Sequence, residues 1–177
     1  MNSTPVLPDY AGANVRGIVP ALLAPRARTG GAPLPPWMPD ELRGAAQVVL
    51  LVLDGLGWEQ LQERTSLAPA LASMSGRAIT TVAPSTTSTA LTSIATGLTP
   101  GEHGVVGYRM DMAGDVLNVL RWGTSTGDAR RQIEPRRTQP FEPFLGESVP
   151  VVSKAELEGS AFTEAHLRGC RACARTA

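Results

Sequence analysis

The sequence predicts an α/β architecture with a mainly parallel sheet flanked by helices, and three observations carry that prediction. Residues 47–53, Gln-Val-Val-Leu-Leu-Val-Leu, are a near-continuous apolar run of strand length, which fits a strand buried on both faces. A polar turn and a helix-like stretch follow, and the same order of strand, turn and helix recurs between residues 78 and 97. With 42% hydrophobic residues in 177, the chain has enough apolar material for one ordinary core.

The elements follow in order. Residues 1–44 are rich in proline and glycine and read as an N-terminal arm laid over the domain, with a short helix at 40–43; the domain itself occupies 45–177. The first strand stops at Asp54-Gly55-Leu56-Gly57, and residues 58–64 open a helix. A second helical stretch runs over 66–75, with Pro69 tolerable only in its first turn and Gly76 as its stop. Residues 78–82 form a second strand, β-branched at Ile79, Thr80, Thr81 and Val82. Beyond Pro84-Ser85-Thr86-Thr87, the residues Ala90, Leu91, Ile94 and Ala95 fall on one face of a helix that Gly97 and Pro100 end. Residues 116–122 read as a strand, 130–143 as a polar, proline-broken loop, and 149–153 as a third short strand in which Pro150 points to an edge position.

Composition also excludes some roles. Sixteen basic against sixteen acidic residues leave no electrostatic footprint for nucleic acid or an anionic membrane. No apolar stretch approaches the roughly 20 residues of a membrane span, and the opening residues lack a signal-peptide pattern. The expectation is a soluble, cytoplasmic protein. Cys170 and Cys173 make a lone C-x-x-C, without the second pair that a zinc knuckle needs or the strand and helix of a redox motif, and read as incidental thiols.

In open α/β sheets, ligands bind outside the carboxyl ends of the strands. Asp54 sits at such an end, where a carboxylate can ligate a divalent cation, although Asp-Gly is equally a common turn. Thr87 sits at a helix start, where open N–H groups suit a phosphate or an alkoxide nucleophile; the same cluster also reads as an ordinary N-cap. A threonine hydroxyl needs a base or a cation to lose its proton. His103, in Gly-Glu-His-Gly, is a candidate base or ligand, but a loop histidine without a located partner reads first as structural, and His166 is weighed the same way. The Arg130-Arg131 and Arg136-Arg137 pairs read as a solvated face, and Trp37, Trp58 and Trp122 as packing residues.

Val49-Leu50-Leu51-Val52-Leu53-Asp54-Gly55 resembles the first strand and metal-binding aspartate of the type I phosphodiesterase / nucleotide pyrophosphatase family, within the alkaline phosphatase superfamily. The stretch from Pro84 through Thr96-Gly97, Pro100 and His103-Gly104 is similar to that family's nucleophile segment. Counting back nine positions from Thr96 gives Thr87 as the nucleophile the resemblance implies, with Thr86 as the fallback. The resemblance implies an alkaline-phosphatase-like fold, a small phosphate-ester substrate and two divalent metal ions, most simply zinc, with Asp54 and Thr87 among the ligands. Tyr108 stands where the family carries a phosphate-contacting asparagine, which makes it the substrate-binding candidate.

The family's remaining ligands, two aspartates and three histidines, have no counterparts here, and residues 169–177 do not look family-like. The expectation is therefore a shortened, incomplete α/β domain without turnover. The alternative is a non-catalytic fold fragment that binds phosphate weakly at most. An incomplete sheet also leaves an unpaired edge, from which self-association follows.

Overall fold

The structure, a computed structural model, describes residues 5–24, 33–112 and 114–176. Of the expected arm, residues 1–4 and 25–32 lie outside the described residues, as do Ala113, Ala177 and the side chain of Cys173.

The first described segment is tied into the body of the chain by polar groups. Asn14 is fully buried. Its amide nitrogen donates to Thr80 Oγ1 and to the Thr81 carbonyl, each at 2.9 Å, while Thr80 N–H reaches Ala13 O at 2.8 Å and Val15 N–H reaches Thr80 O at 3.0 Å. The Asn14 side chain also accepts from Arg16 N–H, starting a 3-10 turn at Val15–Gly17 that runs into α1 (Ile18–Leu23). This part of the expected arm is therefore helical, with Val19 in the interior. The short helix expected at 40–43 is a 3-10 turn at Asp40–Leu42.

The run at 47–53 is not a strand. Its residues are irregular, and Val49, Leu50, Leu51, Val52 and Leu53 are exposed. Apolar patterning states a readiness to pair, but a strand also needs a ladder partner. None stands beside this run among the described residues. The expected strand at 78–82 is reduced, for the same reason, to one parallel bridge between Thr80 and Asn14.

Helix α2 (Trp58–Glu63) follows the Asp54 turn. The helical stretch expected at 66–75 splits into a 3-10 turn at Thr65–Leu67 and α3 (Pro69–Ala72). The break falls at Ala68, whose φ/ψ of −134/57 is non-helical, as steric conflict with a following proline demands. Helix α4 (Thr87–Thr96) ends at Gly97 with φ of 75°, and the Arg16 guanidinium donates to Gly97 O at 3.0 Å, a cation on the negative end of the helix. Helix α5 (Pro100–His103) carries a reciprocal capping box between Thr99 and Glu102. That bonding, backbone first and hydroxyl second, holds the Glu102 carboxyl below its ordinary value.

Strands β1 (Arg109–Met112) and β2 (Asp115–Asn118) pair antiparallel, with Met110 opposite Leu117. Gly114, at φ of 82°, makes the tight reversal between them, and so short a link permits only antiparallel pairing. β3 (Gly123–Thr124) and β4 (Gly127–Asp128) complete a four-stranded sheet in the order β1-β2-β3-β4, antiparallel throughout. The strand expected at 116–122 thus ends at Asn118, and Trp122 takes a left-handed φ of 53°. Helix α6 (Pro135–Thr138) forms inside the stretch expected to be loop. β5 (Pro150–Lys154) pairs in parallel with β6 (Arg171–Thr176), and α7 (Ala161–Leu167), capped by the Ser160 hydroxyl, bridges them. The expectation of a mainly parallel sheet is corrected accordingly: helix and strand are mixed, but the larger sheet is antiparallel.

The core gathers Val105, Leu117, Val119 and Trp122 around Phe162 and Ala165 of α7. The buried Trp122 indole donates to Ile133 O at 2.6 Å, so its one polar atom is satisfied. Among the other tryptophans, Trp37 is half-buried and Trp58 is exposed.

Candidate functional site

Helix α4 buries only part of the apolar face that its sequence suggests. Ala90, Leu91 and Ile94 are half-buried, whereas Ser88, Thr89, Thr92, Ser93, Ala95 and Thr96 are buried. The hydroxyls accept burial because each is bonded. Thr92 and Thr96 donate back to Ser88 O and Thr92 O at 2.7 Å, Ser88 donates to Gly107 O at 2.9 Å, and Ser93 meets His103 Nε2 at 2.8 Å. The Thr89 hydroxyl meets Thr86 Oγ1 at 3.0 Å.

Thr87 stands apart from this pattern. It occupies the first helical position and is half-buried, and among the described residues its hydroxyl has no hydrogen-bond partner. The residue before it, Thr86, has extended backbone but does not cap the helix, because its hydroxyl is engaged with the Thr89 and Ser88 side chains. The N–H groups of the first turn therefore lack a side-chain cap, with a free hydroxyl beside them. Thr86 and Thr87, which sequence spacing alone separated, thus differ in bonding: one is committed and the other open.

Tyr108 approaches the same end of α4 through its neighbour, since the Gly107 carbonyl holds Ser88. The exposed Tyr108 hydroxyl accepts from Asn118 Nδ2 at 2.8 Å, and Asn118 Oδ1 in turn accepts from Arg121 N–H at 3.1 Å. Asn118 was not singled out from the sequence. The signal that could have found it is the hairpin: Gly114 between two alternating segments pairs Arg109 with Asn118, one residue from Tyr108.

Asp54 is exposed in a turn closed by Leu56 N–H to Leu53 O at 3.4 Å, with Gly55 at φ of 80°. Among the described residues no hydrogen bond or ion pair joins Asp54 to Thr87 or to α4. Nor does any group of three or more histidine, cysteine, aspartate or glutamate side chains among them form a metal-binding cluster. A zinc ion takes about four ligands, so Asp54 and Thr87 by themselves do not fit a two-metal centre.

The histidines do not fill the gap. His103 is 1% exposed; its Nδ1 accepts from Val105 N–H at 3.1 Å, which leaves Nε2 to donate to Ser93. Burial holds its pKa down at about 4, so the ring is a neutral strut between α4 and α5. His166 is bonded through Nδ1 to Phe162 O at 2.6 Å and stacks on the Phe162 ring; burial holds it at about 4 as well. Burial raises the Cys170 thiol, the opposite of an activated nucleophile. The arginine pairs are exposed; Arg136 meets Glu164 at 3.0 Å and Arg130 donates to Gly159 O at 2.8 Å.

A helix start with open N–H groups and a free hydroxyl is the setting in which proteins hold phosphate groups. The chain belongs to the type I phosphodiesterase / nucleotide pyrophosphatase family, a hydrolase family whose model matches residues 48–168. That span holds Asp54, Thr87 and Tyr108. No curated protein and no solved structure matches the chain. The family implies an alkaline-phosphatase-like α/β fold; the mixed helix and strand content accords with it, and the antiparallel course of β1 to β4 departs from a parallel sheet. Among the described residues no helix is long and apolar enough to cross a membrane.

Proposed function

We propose that this chain carries the threonine portion of a metal-dependent phosphate-ester hydrolase site, and that as it stands it binds phosphate weakly without turning a substrate over. One observation carries the reading: among the described residues each remaining hydroxyl of α4 is bonded, whereas that of Thr87, at the first position of the uncapped helix, is not. In a completed site the Thr87 oxygen would be the nucleophile toward phosphorus, the α4 N–H groups and the Tyr108 hydroxyl would contact the phosphate oxygens, and Asp54 would be one ligand of a divalent metal, zinc first. Divalent metal ions bound at a completed site would supply the charge that lets the threonine hydroxyl give up its proton and that offsets the charge of the phosphate.

The absence of turnover rests on the donor set. Among the described residues no base is hydrogen-bonded to Thr87, and they offer no cluster of three ligands. This same observation favours the non-catalytic alternative, weak phosphate binding at α4 alone.

The test has two arms. Inorganic phosphate titrated into the purified chain should shift the backbone amide NMR signals of Thr87, Ser88 and Thr89, with a dissociation constant of order millimolar, as one helix terminus without charged partners provides. A nitrophenyl phosphodiester assayed with Zn²⁺ or Mn²⁺ should show no turnover above the Thr87→Ala variant. Amides of α4 that ignore phosphate would remove the site from this helix. Metal-dependent turnover that Thr87→Ala abolishes would keep the nucleophile and overturn the inactivity.

A further inference from the structure

We infer that Asn118 is a positioning residue for phosphate: it holds the Tyr108 hydroxyl as an acceptor, so that the hydroxyl's own proton is left to donate to a phosphate oxygen. The inference rests on the phosphate-ester reading above and adds to it a residue and a direction of hydrogen bonding. It begins with the backbone. Ser88, the neighbour of Thr87, donates through Oγ to Gly107 O at 2.9 Å, Val119 N–H donates to Tyr108 O at 3.0 Å, and Asn118 stands opposite Arg109 in the β1–β2 ladder. Tyr108 is thereby fixed between the first turn of α4 and the end of β2.

The side chains set the direction of the bond. Asn118 Nδ2 lies 2.8 Å from the Tyr108 oxygen, and Asn118 Oδ1 lies 3.1 Å from the Arg121 backbone nitrogen. A backbone N–H only donates, so the amide oxygen belongs at Arg121 and the NH2 group at Tyr108. An amide nitrogen does not accept, so the tyrosine oxygen does, and its single proton is directed elsewhere. Among the described residues nothing else bonds that hydroxyl. A hydroxyl without such an anchor rotates, and presents a lone pair as readily as a proton. An ionised phosphate oxygen accepts only, so it is served by the proton and repelled by the lone pair.

The frame that holds the amide is anchored on both sides of Arg121. Val119 and Trp122 are 0% and 2% exposed, and the Trp122 carbonyl accepts from Ala129 N–H at 2.9 Å while its indole is bonded to Ile133 O. A turn of this kind asks only for an oxygen at position 118, which an aspartate supplies equally well. The NH2 group aimed at Tyr108 is what the turn does not need and phosphate binding does. Asn118 is half-buried and Tyr108 exposed, so the anchor is the more sheltered of the two and a ligand can reach the tyrosine.

Inorganic phosphate titrated into the full chain, read at the backbone amides of Thr87, Ser88 and Thr89, tests this. Tyr108→Phe and Asn118→Ala should each raise the dissociation constant about threefold, as the loss of one exposed hydrogen bond does. The double variant should bind no more weakly than Tyr108→Phe alone, because the two residues act as one unit. Asn118→Asp keeps the bond to Arg121 N–H and with it the turn, yet should weaken binding at least as much, since its second oxygen takes the tyrosine proton. Losses that multiply to about ninefold in the double variant would give Asn118 a role apart from Tyr108 and overturn the inference. So would an Asn118→Asp chain that binds as tightly as the wild type. If the α4 amides respond to phosphate equally in the wild type and every variant, the phosphate reading stands and this inference alone falls; if they are silent in the wild type, both fall together.

Discussion

Acidification should unfold this protein through two buried histidines. His103 and His166 are 1% and 6% exposed, and both rings are neutral in the fold, with pKa values held at about 4 by burial against an ordinary 6.5. The sign follows from proton counts: below pH 6.5 the unfolded chain takes up protons that the folded chain refuses, so stability falls as pH drops. The loss begins near 6.5 and levels off below about 4, where the folded rings also charge. At pH 5 each ring costs about 2 kcal/mol, so the pair removes about 4 kcal/mol from a stability that for a domain this size is ~5–15 kcal/mol. For His103 there is a structural reason beyond burial, since a proton on Nδ1 would face the Val105 N–H that now donates to it. The assay is the urea midpoint measured from pH 7.5 to 5, with ring protonation followed by NMR. His103→Gln should lower the midpoint at pH 7.5 and flatten about half of the pH slope. A midpoint independent of pH across this range, or ring signals titrating near 6.5, would refute the reasoning. Glu102, whose carboxyl is held below 4.5, acts in a separate window, since its contribution is lost only as pH falls through and below that value.

Two further outcomes rest on single contacts. Gly97→Ala should lower the melting temperature by the equivalent of about 2 kcal/mol or more, because the position has φ of 75° and an added Cβ would lie 2.4 Å from Pro20 Cγ; an unchanged melt would contradict the packing of α1 on α4. Ser93→Ala should cost about 1–3 kcal/mol in chemical denaturation by leaving His103 Nε2 unpaired in the interior, while Thr87→Ala should stay within about 0.5 kcal/mol because its hydroxyl has no partner to lose among the described residues. Equal effects from the two substitutions would contradict the contrast drawn between them.

Several features of the site were legible in the sequence because they are local. The start of α4 after Pro84-Ser85-Thr86, its stop at Gly97 and the turn at Asp54-Gly55 depend on residues within a few positions of one another. The choice between Thr86 and Thr87 is different in kind. Spacing within a resemblance favoured Thr87; the bonding of the Thr86 hydroxyl to Thr89 depends on rotamers that no sequence pattern encodes. The Tyr108–Asn118 contact and the burial of His103 against Ser93 are likewise products of chain reversal, a hairpin in one case and the α4–α5 turn in the other.

The apolar run at 47–53 marks the boundary most sharply. By itself the sequence determined what that segment can do: its valines and leucines carry strand propensity, and Asp54-Gly55 ends it in a turn. Whether it becomes a strand was decided by the tertiary structure, because a strand's hydrogen bonds are made to another segment and none stands beside this one among the described residues. The direction of the larger sheet was decided in the same way, by the short reversal at Gly114 that leaves β1 and β2 no course but antiparallel. Helices, turns and caps close their bonds within a few residues and can be read along the chain; sheets close theirs across it.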